Sequence, residues 1–191
     1  MARVERGLGR LVKEILFGEI FSLTGSLFAG LGLAYMLNEL ESLPGFLVLV
    51  PAFMEMRGNI SGASSARITT DLYLGTIPAR FKLSDGLKTE ILTSFLLTMI
   101  LSAVIGVFSH YFNLFFGFSS AGLLKLAALS FTAGLLSSLF MIFVASFSTI
   151  MFFRRGLDPN NVMGPFTGMF GDVVSILSLF LAAQILLRVM G

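Results

Sequence analysis

The chain has 191 residues, of which 55% are hydrophobic and 13% charged, and its net charge is +2. A soluble domain carries about a quarter charged residues, so this much apolar surface requires a covering of lipid. The small net charge, spread over short polar segments, argues against a nucleic-acid partner. The absence of cysteine excludes disulfides, thiolate metal sites and cysteine catalysis.

The apolar segments predict a single integral membrane domain over residues 1–191, built as an all-α bundle of five transmembrane helices. A short basic segment, residues 1–14, comes first and lacks the cleavage pattern of a signal peptide, so we expect it to be retained. The predicted spans follow at about residues 15–37, 43–66, 91–112, 123–153 and 160–190, each long enough to cross a bilayer. Their apolar runs lack the alternation of a transmembrane barrel.

Lysine and arginine are distributed unevenly between the two sides of this predicted bundle. They collect before the first span, between the second and third, and between the fourth and fifth, whereas the opposite side has only Lys125 and Arg188. The positive-inside rule therefore predicts a cytoplasmic N-terminus and an outer C-terminus, in a multi-pass protein of the cell membrane. The stretch from Arg3 to Leu16 fits either a solvated orientation signal or a short amphipathic helix on the inner leaflet.

Charged residues inside the predicted spans must be paired or must line a water-filled path. Glu19 and Arg57 fall at similar depth in the inner half of the bilayer, and an ion pair between them would explain both. Glu55 lies nearly opposite Arg57 around the second helix and shares a face with Asn59, four residues later. This face is typical of the lining of a pathway.

The fifth span opens with Asp158 in an N-cap position and Pro159 in the first helical turn. Small and polar residues then recur at spacings of three or four, predicting one narrow face: Asn161, Pro165, Gly168, Asp172 and Ser175. Asp172 lies about 20 Å along the helix from Pro159, near the middle of the membrane. Since no cation in the other helices is an obvious partner at that depth, we expect this carboxylate to be neutral or to hold a cation. The glycines and the proline can free backbone carbonyls, which would be further oxygen ligands for a hard cation.

Two stretches resemble the membrane domain of the MgtE-type magnesium channels, which is shared with their eukaryotic solute-carrier relatives. In the second span, PAFMEMRGNISGASSARITTDLYLG is similar to the family's proline, Gly-Asn pair, small residues and arginine near the cytoplasmic end. In the fifth span, DPNNVMGPFTGMFGDVVSILSLF is similar to its Asp-Pro, its Gly-Pro-Phe and its membrane-embedded aspartate. With the five spans, the resemblance covers essentially the whole chain.

This resemblance implies a divalent-cation channel or transporter that is not an enzyme, with Mg²⁺ as the transported ion and other divalent cations as competitors. Asp172 falls on the family's pore aspartate, which takes part in binding a hydrated magnesium ion on a two-fold axis between two subunits. The second-span motif that packs around the pore falls on Pro51, Gly58 and Asn59. The signature of the pore-lining helix falls on Gly164, Pro165 and Phe166. The resemblance thus implies a homodimer in the lipid bilayer, and we expect it to work without the cytosolic sensor domains of bacterial MgtE.

Two other classes of protein are compatible with parts of the sequence. A non-transporting scaffold or assembly subunit would pair Asp172 with a cation of a partner protein. An intramembrane serine protease would use the GASS stretch at Gly62 to Ser65 as a nucleophile loop and His110 as its base. His110 falls at the end of the third span beside Tyr111, which is typical of an interfacial residue.

Overall fold

The computed structural model describes residues 8–190, apart from several side chains in the first helical turns and that of Met190. The described residues form six α-helices and no strand, which confirms the all-α class for this part of the chain. The helices are α1 (Leu8–Tyr35), α2 (Leu37–Ser42), α3 (Phe46–Leu74), α4 (Asp85–Phe115), α5 (Leu123–Arg154) and α6 (Pro159–Met190). The first part of the predicted basic segment, with Arg3 and Arg6, lies outside the described residues. From Leu8 onward that segment belongs to α1, without a break before the first apolar stretch.

Within the described residues, three helices are long and apolar enough to cross a membrane: Asp85–Phe115, Leu123–Arg154 and Pro159–Val189. The other two long helices, α1 and α3, have 28 and 29 residues and are therefore also long enough for a bilayer. They differ in composition, since α3 in particular carries charged and small residues along much of its length. The helices thus have the lengths and sequences of a helical membrane protein.

The central helix of the bundle is α6, which packs against α1, α3 and α5. Helices α3, α4 and α5 also pack against one another, whereas α1 lies on the far side of α6. The main apolar core forms where α3, α5 and α6 meet, and its fully buried side chains include Phe53, Leu129 and Leu179. Helix α6 therefore has neighbouring helices on three sides.

The connections between the helices lie at two opposite ends of the bundle. At one end the ring of Tyr73, from the last turn of α3, lies 5.1 Å from that of Phe153 in α5. We call this the basic end, because Arg80, Lys82, Arg154 and Arg155 lie there. At the other end the backbone N–H of Ala121 donates to the carbonyl of Pro44, 2.7 Å away, and Gln184 donates to Glu39 of α2.

The starts of the long helices are marked by specific residues. The N-cap of α4 is Ser84, whose hydroxyl accepts a hydrogen bond from the N–H of Leu87. Ahead of α6, the carboxylate of Asp158 accepts from the N–H of Asn160 at 3.0 Å. This bond confirms the predicted cap, which satisfies one of the free N–H groups of a helix start.

Helix α1 approaches α6 closely because three glycines at heptad spacing, Gly18, Gly25 and Gly32, face it. A Cβ atom on Gly25 would lie 2.0 Å from Cγ and 2.9 Å from Cα of Met169. A Cβ on Gly18 would lie 3.0 Å from Pro165, and one on Gly32 would lie 2.9 Å from Ile176. Small residues of this kind let helix backbones meet, which is how helices associate in lipid.

We expect Gly25→Ala to destabilise the protein by about 1–3 kcal/mol, because the new methyl group overlaps the backbone of α6. The matched control is Gly30→Ala on the same helix, where a Cβ meets nothing within 4 Å. That change should be neutral or stabilising by about 0.5–1 kcal/mol, because alanine favours the helix. Thermal unfolding of the purified protein in detergent measures both, and equal effects would contradict the close contact.

Candidate functional site

Asp172 lies near the middle of α6 and is half-buried. Its carboxylate accepts a short hydrogen bond from the hydroxyl of Ser26 in α1. Ser26 follows directly after Gly25, so the close crossing of the two helices brings this hydroxyl to the carboxylate. The hydroxyl holds the carboxylate in one orientation, as hydrogen-bond partners do for metal ligands in other proteins. It contributes no positive charge.

The other residues of the predicted face on α6 are divided among three environments. Pro165 and Gly168 face α1, since a Cβ on Gly168 would lie 3.1 Å from the hydroxyl oxygen of Ser22. Ser175 is fully buried, and its hydroxyl has no hydrogen-bond partner among the described residues. Asn161 and Gly164 are exposed near the start of the helix. Within one protomer, this stripe is therefore largely the surface on which α1 packs.

The polar face of α3 is open in the single chain. Pro51, Glu55 and Asn59 are exposed and Gly58 is half-buried. The side-chain amide of Asn59 donates to Glu55 at 3.0 Å, so the two residues share one face of the helix, as the spacing predicts. A Cβ atom added to Gly58 or to Gly62 would meet no atom within 4 Å. The described part of the chain thus leaves this strip of α3 uncovered.

Arg57 points to the opposite side of α3 and is only 1% exposed. One terminal nitrogen of its guanidinium donates to the hydroxyl of Thr98 in α4 at 2.8 Å, and the other donates to the carbonyl of Ser137 in α5 at 3.4 Å. Its Nε has no partner among the described residues. The guanidinium therefore joins three helices through neutral acceptors.

The predicted ion pair between Glu19 and Arg57 is wrong. Glu19 is exposed on α1, which packs on α6, whereas Arg57 points between α3, α4 and α5. In the described part of the chain Arg57 forms no ion pair. Similar depth along two helix axes does not bring two side chains together when the helices lie on different sides of a third.

A stripe of buried polar residues on α4 was not identified from the sequence. Ser94, Thr98 and Ser102 recur every four residues, and all three are at most 2% exposed. Thr98 and Ser102 each donate to the carbonyl one turn earlier in their own helix. The four-residue spacing of these hydroxyls was the signal that could have revealed an inward-facing polar surface.

The residues of the serine-protease alternative are not brought together. The ring Nδ1 of His110 lies 2.8 Å from the hydroxyl of Ser120, in the connection between α4 and α5. Ser64 is buried on α3, and no hydrogen bond joins it to His110 among the described residues.

The described residues also contain no group of three His, Cys, Asp or Glu side chains that could hold a metal ion. Within one protomer, Asp172 is not part of such a cluster.

Long apolar helices packed into a bundle, with a half-buried carboxylate in the middle of the central helix, are typical of a helical membrane protein with a functional site inside it. The family model of MgtE, described as divalent cation transporter, matches residues 50–182, well over half of the chain. The protein therefore belongs to the MgtE family, and the resemblance seen in its two motifs is confirmed. The family that it belongs to is described as one of divalent cation transporters.

A curated relative is also similar to the chain. Solute carrier family 41 member 2 from Xenopus laevis is 24% identical over 161 residues. The aligned region takes in 79% of this chain and 27% of the relative. The chain thus spans about a quarter of the length of this relative, which contains much sequence beyond the shared region.

Proposed function

We propose that the protein is a divalent-cation channel or transporter of the cell membrane, with Mg²⁺ as its main substrate. The observation that carries this proposal is the half-buried carboxylate of Asp172, which is held by a neutral hydroxyl in the middle of the central helix. Among the described residues Asp172 forms no ion pair, and an ionisable side chain inside a membrane bundle is by default a candidate for an ion pathway. Membership of the MgtE family supports the same substrate class.

The proposed topology has five spans, α1 and α3 to α6, with α2 as a short helix at the end opposite the basic end. The basic end then faces the cytoplasm, in accordance with the positive-inside rule. Helix α1 starts on the same side as the connections from α3 to α4 and from α5 to α6. The N-terminus is therefore cytoplasmic in this proposal.

The open face of α3 supports a homodimer. Lipid would contact the exposed Glu55 and Asn59 in a lone protomer, and a charged side chain in hydrocarbon is costly. A second copy related by a two-fold axis would cover this face with the same face of its own α3 or enclose water between the two. We propose that the same axis passes beside α6, so that two Asp172 carboxylates line one ion path.

This arrangement suits a hydrated magnesium ion. Mg²⁺ gives up its water reluctantly and is usually held by one or two carboxylates that contact it directly or through its waters. Two Asp172 side chains, each oriented by Ser26, would attract the hydrated ion electrostatically. Because the ion would keep its water shell, it could still dissociate and pass along the path. A monovalent ion would be held more weakly, and other divalent ions would compete.

We expect Asp172→Ala to abolish magnesium uptake and Asp172→Asn to weaken it severely, because both remove the negative charge at the site. Uptake is measured in liposomes that contain the purified protein and a fluorescent magnesium indicator. The control is Asp85→Asn, which removes an exposed carboxylate paired with Lys88 at the basic end. Normal flux in Asp172→Ala would contradict the proposal. A lack of flux in the wild-type protein, under imposed voltage and ion gradients, would favour the scaffold alternative.

Replacing Ser26 by alanine should raise the magnesium concentration for half-maximal uptake about tenfold, because the carboxylate of Asp172 loses the donor that orients it. Ser26→Thr keeps a hydroxyl and should retain most of the affinity. The control is Thr24→Val on the same helix, whose exposed hydroxyl donates only to the carbonyl of Ile20. If Ser26→Ala and Thr24→Val behave alike in the concentration dependence of uptake, Ser26 does not orient the site.

The dimer can be tested with single cysteines, since the chain contains none. We expect Ala63→Cys, on the open face of α3, to form a covalent dimer with a short bis-maleimide crosslinker in membranes. A residue near a two-fold axis lies close to its own copy in the partner. Ile100→Cys, on a 60% exposed position of α4, should stay monomeric under the same treatment. Transport without crosslinking at Ala63 would argue against the proposed interface.

A further inference from the structure

A cavity of about 400 Å³ opens at the basic end, beside the last turns of α5. One wall comes from α5 and another from the connection between α3 and α4. The lining residues are Phe81, Phe147, Ile150, Met151, Arg154 and Arg155. The cavity therefore combines apolar side chains with two exposed arginines, and its lining includes neither Asp172 nor any residue of the open face of α3.

The apolar part of the cavity is built by an aromatic cluster. Phe81 leaves the polar connection after α3 and packs edge-on against α5, with its ring 5.7 Å from Phe143 and 6.0 Å from Phe147. The rings of Phe143 and Phe147 are stacked, with their centres 5.6 Å apart. This cluster forms an apolar wall that continues from the rim of the cavity along the surface of α5.

No carboxylate of the described residues neutralises the positive charge at this cavity. Elsewhere at the basic end, Arg67 pairs with Glu90 and Lys88 pairs with Asp85. Arg154 and Arg155 are exposed and form no ion pair with any described residue. Guanidinium groups bind phosphate oxygens through paired N–H donors, so two of them beside one cavity favour a phosphate group.

We propose that this cavity binds the headgroup of an anionic phospholipid, with the phosphate at Arg154 and Arg155 and an acyl chain along the aromatic wall. Basic pockets between membrane helices on the cytoplasmic side recognise such headgroups. The aromatic wall favours a lipid over a free phosphate ion, because a phosphate ion has no apolar part to pack against this wall. The site does not depend on the proposed ion path, because it shares no residue with it.

The test is native mass spectrometry of the full chain in detergent, titrated with phosphatidylglycerol, with phosphatidylcholine of the same acyl chains, or with inorganic phosphate. The double variant Arg154→Gln, Arg155→Gln should lower phosphatidylglycerol binding about tenfold or more. The matched control is Arg80→Gln, Lys88→Gln, which removes two charges from the same end but none from the cavity. It should change binding less than about twofold.

A second variant keeps both arginines and fills the space instead. Met151→Phe should also weaken phosphatidylglycerol binding, without any change of charge. The proposal is overturned if the two lipids bind equally, if the control pair loses as much binding as the cavity pair, or if Met151→Phe binds as the wild type does. If an equal concentration of inorganic phosphate displaces the lipid, the site binds free phosphate and the proposal of a lipid ligand is wrong.

Discussion

Lipid offers no partner to a charged side chain, and this constraint decides how the helices of the bundle are turned about their own axes. Arg57 meets it by complete burial against a hydroxyl and a carbonyl on two other helices. Since residues two apart lie nearly opposite on a helix, the burial of Arg57 turns Glu55 outward. The open polar face of α3 and the buried guanidinium are therefore two results of a single rotation.

The environment of Asp172 depends on shape as much as on charge. Gly25 removes the side chain that would otherwise hold α1 away from Met169, and only then does the next residue, Ser26, reach the carboxylate. Packing between two helices and orientation of the candidate cation ligand are thus coupled in adjacent residues. A helix that contacts the rest of the bundle mainly through α6 nevertheless supplies the nearest polar group to the site.

Much of the fold can be predicted from the sequence, because apolar length and helix caps are local properties. The long helices follow from the length of the apolar segments, the cap at Asp158 from the Asp-Pro pair, and the shared face of Glu55 and Asn59 from their spacing. The partners of Arg57 and Asp172 do not, since periodicity tells which residues share a face but not which helix that face meets. The pair between Glu19 and Arg57 failed for this reason. The three glycines on α1 were not singled out from the sequence; their spacing indicates a close helix contact, but it does not identify α6 as the partner.

The buried hydroxyls of α4 have a mechanical consequence. Thr98 and Ser102 give their hydrogens to carbonyls of their own helix, so they present mainly lone pairs to neighbouring helices. Among the described residues, no side-chain hydrogen bond joins α4 to α5, although the two helices pack closely enough that a Cβ on Gly106 would lie 2.6 Å from the backbone of Ala127. Contacts of this kind are close but not directional. A small shear of α4 against α5 would therefore break no direct side-chain hydrogen bond between them, and the guanidinium of Arg57, which bridges Thr98 and Ser137, is the polar contact that would resist it.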